Sequence, residues 1–152
     1  MSDSSAACCS GALERSQGTW VALAVSAVVF GALHLTNTGA TVLTAAAIAL
    51  QAGVLLGLAY IATGRLWFPI GLHVAWNATQ GGVFGSPTSG IPIDGLLQAH
   101  LAGPALVSGG GFGVEGSVVT VLTCLATAAL LLRTARRDRP IVPRPRHHEG
   151  RA

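Results

Sequence analysis

Lysine is absent from this 152-residue sequence, and charge of either sign is scarce, at 10% of the residues. A soluble domain carries roughly 25%, so this chain has too little charge to coat a water-facing surface. Aromatic residues are also few, at 5%, and the apolar bulk comes from Ala, Val and Leu. Hydrophobic residues nevertheless reach 51%, with a mean hydropathy of +0.59. The three cysteines form no C-x-x-C pair: Cys8 and Cys9 are adjacent, and Cys124 lies in an apolar run. No H-E-x-x-H occurs, which argues against a structural zinc site or a zincin. Cys124 then reads as a small buried hydrophobe. The length allows one domain, and the composition is that of a membrane protein with a polar tail.

The net charge of +3 does not point to nucleic acid, because the basic residues are localised. Seven of the nine arginines (Arg133, Arg136, Arg137, Arg139, Arg144, Arg146 and Arg151) follow the last apolar run. They predict a basic, disordered cytoplasmic tail over 134–152, where each basic residue near an anionic surface gains ~1 kcal/mol. The lipid bilayer is therefore an expected partner and nucleic acid is not.

Four apolar runs precede that tail. Residues 1–17 form a polar N-terminal segment, after which 19–35 is just long enough to span. The run 41–62 is a full span by the usual requirement of about 20 residues. It carries Ala45, Ala49, Gly53 and Gly57 at every fourth position, a stripe that lets another helix approach closely. A third run covers 66–84, with Pro69 in its first turn, where a missing N–H is tolerated, and a fourth covers 117–132. The expected fold is an all-α polytopic membrane helix bundle of about four transmembrane helices, filling 18–133. Helices are expected near 19–35, 41–63, 66–82 and 116–133. The segment 85–116 reads as a long Gly- and Pro-rich loop with a short amphipathic helix around 93–101. With the tail inside, every arginine falls on the cytoplasmic side, as the positive-inside rule requires.

In that loop "GFGVEG" matches G-x-G-x-x-G at Gly111, Gly113 and Gly116. No strand precedes it and the helix that follows is of membrane grade, so a dinucleotide site is discarded. No cofactor is expected.

Two ionisable residues lie inside apolar runs: His34, at the end of "FGALH", and His73, in "GLHVAWN". Asn77 follows His73 by four residues, hence on the same helix face. Polar groups at bilayer depth are expensive and usually face a bundle interior with a partner or a task. His34, His73 and Asn77 are therefore expected to converge on one polar pocket. Imidazoles more than about 12 Å apart, far beyond direct or single-water hydrogen bonding, would refute this. An imidazole accepts or donates a proton, and an Asn amide can donate to a developing oxyanion.

"FGALH" followed by "GLHVAWN" resembles the F-x-x-x-H and H-x-x-x-N/D motifs of the CPBP family, the intramembrane CAAX prenyl protease and bacteriocin-processing group. The segments "ALERSQGTW", "GGVFGSPTSGIP" and "SGGGFGVEGS" are similar to those of bacterial members, so the resemblance spans about 11–132. It implies a membrane endopeptidase that hydrolyses peptide bonds of peptide or membrane-protein substrates inside the bilayer. A glutamate of an E-E-x-x-x-R motif would work with the second-motif histidine to activate water. Carried over by position, His34 is the water-activating residue, His73 and Asn77 are the oxyanion donors, and Phe30 is a packing neighbour. The implied location is a bacterial plasma membrane.

The chain departs from the family in the first motif. Where E-E-x-x-x-R is expected, it reads "MSDSSAACCS". Asp3 and Glu14 are the only acids before His34, and Glu14 precedes the first span. Glu115, at a loop–helix junction on the side expected for His34, is weighed and set below the reading that the chain lacks its base. Three hypotheses follow: an N-terminally truncated endopeptidase with impaired activity, a non-catalytic relative that binds peptides or partners in an immunity-like role, and a fragment of a small proton-coupled transporter.

Overall fold

A computed structural model describes residues 18–138. The expectations for 1–17 and 139–152, including Asp3, Glu14 and the distal basic tail, lie outside the described residues.

Helix α1 (Thr19–Leu33) follows Gly18, whose φ of 85° suits glycine. It ends in a 3₁₀ turn over His34–Thr36, and the chain reverses through 37–40. Thr41 then starts the next helix with a capping box. Its Oγ1 accepts from the Thr44 N–H at 3.1 Å, and its own N–H donates to Thr44 Oγ1 at 2.8 Å. These bonds satisfy donors that the first helical turn leaves free. The helix runs as α2 (Val42–Ile48), a π turn (Ala49–Gly53) and α3 (Val54–Thr63). It stops at Gly64 in the left-handed conformation. Helix α4 (Trp67–Asn77) carries Pro69 in its first turn and also passes into a π turn, Ala78–Val83. A long loop holding the single helical turn α5 (Ala105–Ser108) leads to α6 (Val118–Asp138). The final helix therefore continues past the boundary expected at residue 133.

Small residues set the approach of α1 to the α2–α3 helix. A Cβ on Gly31 would lie 2.5 Å from Ala45 O and 2.7 Å from the Ala49 methyl, and one on Gly53 2.8 Å from Ala27 Cα. One on Gly57 would collide with Leu23 Cδ1. The stripe read from the sequence is thus the face on which α1 lies. The core lies beside it, where Leu23, Leu55 and Leu58 meet Cys124 and Ala128 of α6, with Leu72 and Trp76 of α4 packed on them.

Among the described residues there is no strand, only an isolated bridge between Thr88 and Ile91. Two helices are long and apolar enough to cross a membrane, Thr19–Thr36 and Val42–Thr63, and Val118–Arg133 is a shorter apolar helix. The fold is an all-α bundle consistent with a membrane protein. The 67–83 helix, one of the four expected spans, is not among these three; it holds His73, Asn77, Thr79 and Gln80.

The expected amphipathic helix near 93–101 does not form. That segment runs irregularly past the end of the 67–83 helix, bending at Leu96 and Leu97, with Leu96 N–H on Gly82 O, Leu97 N–H on Val83 O and Ala99 N–H on Phe84 O, at 2.8–2.9 Å. Helix C-termini leave carbonyls without intrahelical donors, and these amides satisfy them. Pro92 disfavours helical geometry just before the segment, and Gly95 lies so close to Gly81 O and the Gly85 backbone that no side chain fits.

Candidate active site

His34 leaves α1 where the helix tightens. Its Nδ1 lies 2.7 Å from the Phe30 carbonyl oxygen. A carbonyl only accepts, so Nδ1 carries the proton and, in the neutral ring, Nε2 keeps the lone pair. The Phe30 ring lies against His34 at a centroid distance of 4.8 Å and meets His73 edge-on at 5.6 Å. The two imidazoles are therefore no farther apart than the sum of those distances, inside the expected 12 Å.

Asn77, one turn after His73 on α4, brings Nδ2 to 3.3 Å from His73 Nε2. Its Oδ1 is buried without a hydrogen-bond partner among the described residues. With the amide reversed, Oδ1 would accept from Nε2–H and the NH₂ would turn into the interior. Either orientation leaves the pair at least one N–H to offer a ligand. His34, His73 and Asn77 are all half-buried, so structure brings together the three residues that the motifs singled out.

Glu115 arrives from the opposite side. It sits in a 3₁₀ turn (Val114–Gly116) before α6 and is 5% exposed. Oε1 accepts from Trp76 Nε1 at 3.0 Å, and Oε2 accepts from both the backbone N–H and the hydroxyl of Ser89 at 2.6 Å. Its backbone carbonyl accepts from Gln51 Nε2 at 2.5 Å. Ser89 O in turn accepts from Asn37 Nδ2 at 3.0 Å, and the Asn37 N–H donates to His34 O. The carboxylate and backbone carbonyl of this one residue, with Ser89 as relay, thus tie the end of α1, the first π turn, α4 and the loop into a single network. Sequence reasoning set Glu115 low and missed Gln51, Trp76 and Ser89. Gln51 did carry a signal, as an amide in the middle of an otherwise apolar run.

An apolar cleft of about 360 Å³ opens between α1, α3 and α4 and reaches Phe30 and His73. A second cavity of about 40 Å³ lies between Gln51, His73, Trp76, Glu115 and Cys124. Among the described residues no three of His, Cys, Asp and Glu are grouped so as to hold a metal ion. The donor set does not fit a metal. The "GFGVEG" stretch forms two 3₁₀ turns, Gly110–Phe112 and Val114–Gly116.

These features define a helical bundle with a His–His–Asn cluster whose His73 lines an apolar cleft. The model of the Rce1-like type II CAAX prenyl endopeptidase family matches residues 7–79, just under half of the chain, and this match supports membership in the CPBP family. It contains all three cluster residues and ends before Glu115. No curated protein and no solved structure matches the chain. The match and the two long apolar helices make the chain similar to CAAX-protease-like integral membrane proteins.

Proposed function

We propose that this chain binds a peptide segment at the His34–His73–Asn77 cluster and belongs to a system that hydrolyses peptide bonds within the membrane. The observation that carries the reading is the shared Phe30 wall. It sets a histidine with a free Nε2 lone pair beside a His–Asn pair able to donate.

In this mechanism His34 Nε2 takes a proton from water as the water oxygen bonds to the scissile carbonyl carbon. The N–H groups of His73 and Asn77 meet the oxyanion, a contribution of ~3–4 kcal/mol for a donor in other acyl-transfer sites. The C–N bond then breaks, and the proton held on His34 passes to the departing amine. His34 carries the base role without a carboxylate partner, since no E-E-x-x-x-R occurs in the sequence and Glu115 already serves three donors. The 152-residue chain is therefore expected to bind well and turn over poorly. The setting is a bacterial plasma membrane with the arginine-rich end cytoplasmic.

The test is cleavage and binding of a membrane-anchored peptide by the purified chain in liposomes, compared with His34→Ala and His73→Ala. Binding lost in His73→Ala, with slow cleavage lost in His34→Ala, supports the reading. Cleavage indifferent to His34→Ala sinks it.

A further inference from the structure

Leu96 is 86% exposed, more than any other large apolar side chain among the described residues, and Leu97 beside it is 55% exposed. Both lie in the irregular segment that follows the 67–83 helix, and neither serves the candidate site. Large apolar side chains exposed together mark a contact surface, and the level of this pair in the bundle identifies its partner.

Helix lengths set that level. The helix Val42–Thr63 rises ~31 Å at ~1.5 Å per residue, enough for the ~30 Å hydrocarbon core. It runs antiparallel to the 67–83 helix: Tyr60 shares the apolar cleft with Pro69, and Gln51 shares the small cavity with Trp76. Arg65 and Trp67, both exposed, stand at the end the two helices have in common, and such residues sit at a bilayer interface. From Trp67 to Val83 the rise is only ~24 Å. The second helix therefore stops ~6 Å short of the far boundary of the core. The amides of Leu96, Leu97 and Ala99 bond to the carbonyls of Gly82, Val83 and Phe84, which holds their segment at that same level.

We propose that Leu96 and Leu97 insert among lipid acyl chains in the leaflet opposite Arg65, so that residues 94–99 complete the crossing that the 67–83 helix leaves short. The backbone of the segment faces protein. Three of its amides are satisfied by the helix end, and Gly95 lies against Gly81 O and the Gly85 backbone. Non-helical backbone is tolerated at membrane depth only under such cover. The neighbouring surface is also apolar: Val83 and Phe84 at the helix end, and Val42 and Leu43 at the matching end of α2, are exposed. Across 83–107 there is no Lys or Arg, and Asp94 and His100 are the only ionisable residues. Both are exposed and flank the leucine pair, placed to meet headgroups. The insertion seats the bundle in the bilayer whether or not the chain cleaves peptides.

The experiment is paramagnetic broadening of methyl signals in solid-state NMR of the full chain in phosphatidylcholine bilayers. One sample holds lipid with a nitroxide on the upper acyl chain, the other a water-soluble nickel chelate. The Leu96 and Leu97 methyls are the probes, and those of Leu58, 4% exposed, are the shielded reference. The nitroxide lipid is expected to broaden both probes several-fold more than Leu58, and several-fold more than the chelate does. Broadening by the chelate that equals or exceeds that by the lipid places the segment in water and overturns the proposal. Probes as protected as Leu58 from both agents mean that a second copy or another part of the chain covers the patch, which overturns it equally.

Discussion

The indole N–H of Trp76 donates to Glu115 Oε1 at 3.0 Å, and Trp76 stands on the same helix as His73, three residues on. The contact couples the loop before α6 to the helix face that presents the candidate site. Glu115→Gln keeps the size of the side chain but replaces one acceptor oxygen with a donor. The new NH₂ must then face either the Trp76 indole or the two Ser89 donors. Hydrogen bonds to a charged group are worth about 1.5–3 kcal/mol each, so the variant should lose at least that much stability. Unfolding in detergent followed by tryptophan fluorescence reads the loss, and an unchanged midpoint would remove Glu115 from its central place.

Ser89 makes a sharper comparison. It is the only non-glycine residue with positive φ among the described residues, at 50°. A left-handed conformation costs an L-residue about 1–2 kcal/mol, and here two bonds to Glu115 hold it. Ser89→Ala loses the hydroxyl bond and keeps the strain. Ser89→Gly loses the same bond but relaxes the backbone. The glycine variant should therefore be the more stable by about 1 kcal/mol, despite its smaller side chain. The reverse order in a chemical-denaturation series would contradict the strained geometry.

Much of this was legible in advance, and the reasons are specific. The π turns kept the helices continuous, so the apolar runs still marked their extents. The spacing of Ala45, Ala49, Gly53 and Gly57 foretold the α1 contact because close backbone approach requires small side chains at that period. His34, His73 and Asn77 stood out because polar groups in apolar runs are costly. The Glu115 network was not legible, because it joins residues 37, 51, 76, 89 and 115 across the chain. No local period encodes such contacts. The failed helix at 93–101 has the same origin, since its amides bond to carbonyls of another segment.

The packing stripe is tested by two alanines. In Gly53→Ala the new methyl would sit 2.8 Å from Ala27 Cα, a backbone atom that cannot turn aside. Overpacking of this kind costs about 1–3 kcal/mol. Gly71→Ala, on α4, meets nothing within 4 Å and should be neutral or stabilising by up to ~1 kcal/mol, from helix propensity alone. Equal effects in thermal unfolding would mean that α1 does not lie on Gly53.

The last prediction concerns turnover. Water is a weak nucleophile at neutral pH, and a positioned base contributes typically 10²–10⁴-fold. His34 presents Nε2 as a lone pair, but the ring partner of its Nδ1 is the Phe30 carbonyl. A neutral carbonyl stabilises the imidazolium that forms on proton uptake less than a carboxylate would. Glu115 does not fill that role, because its oxygens are directed to Trp76 and Ser89. Binding without efficient hydrolysis is the consequence, since the oxyanion donors His73 and Asn77 remain in place. A membrane helix carrying E-E-x-x-x-R, supplied alongside the chain, should raise cleavage of a membrane-anchored peptide by about the 10²–10⁴-fold that a positioned base provides. His34→Ala should abolish that gain, while Asn77→Ala should lower it by about 10²–10³-fold, the usual loss for one oxyanion donor. A chain that cleaves efficiently unaided, or a gain that survives His34→Ala, would show that the proton leaves water by another route.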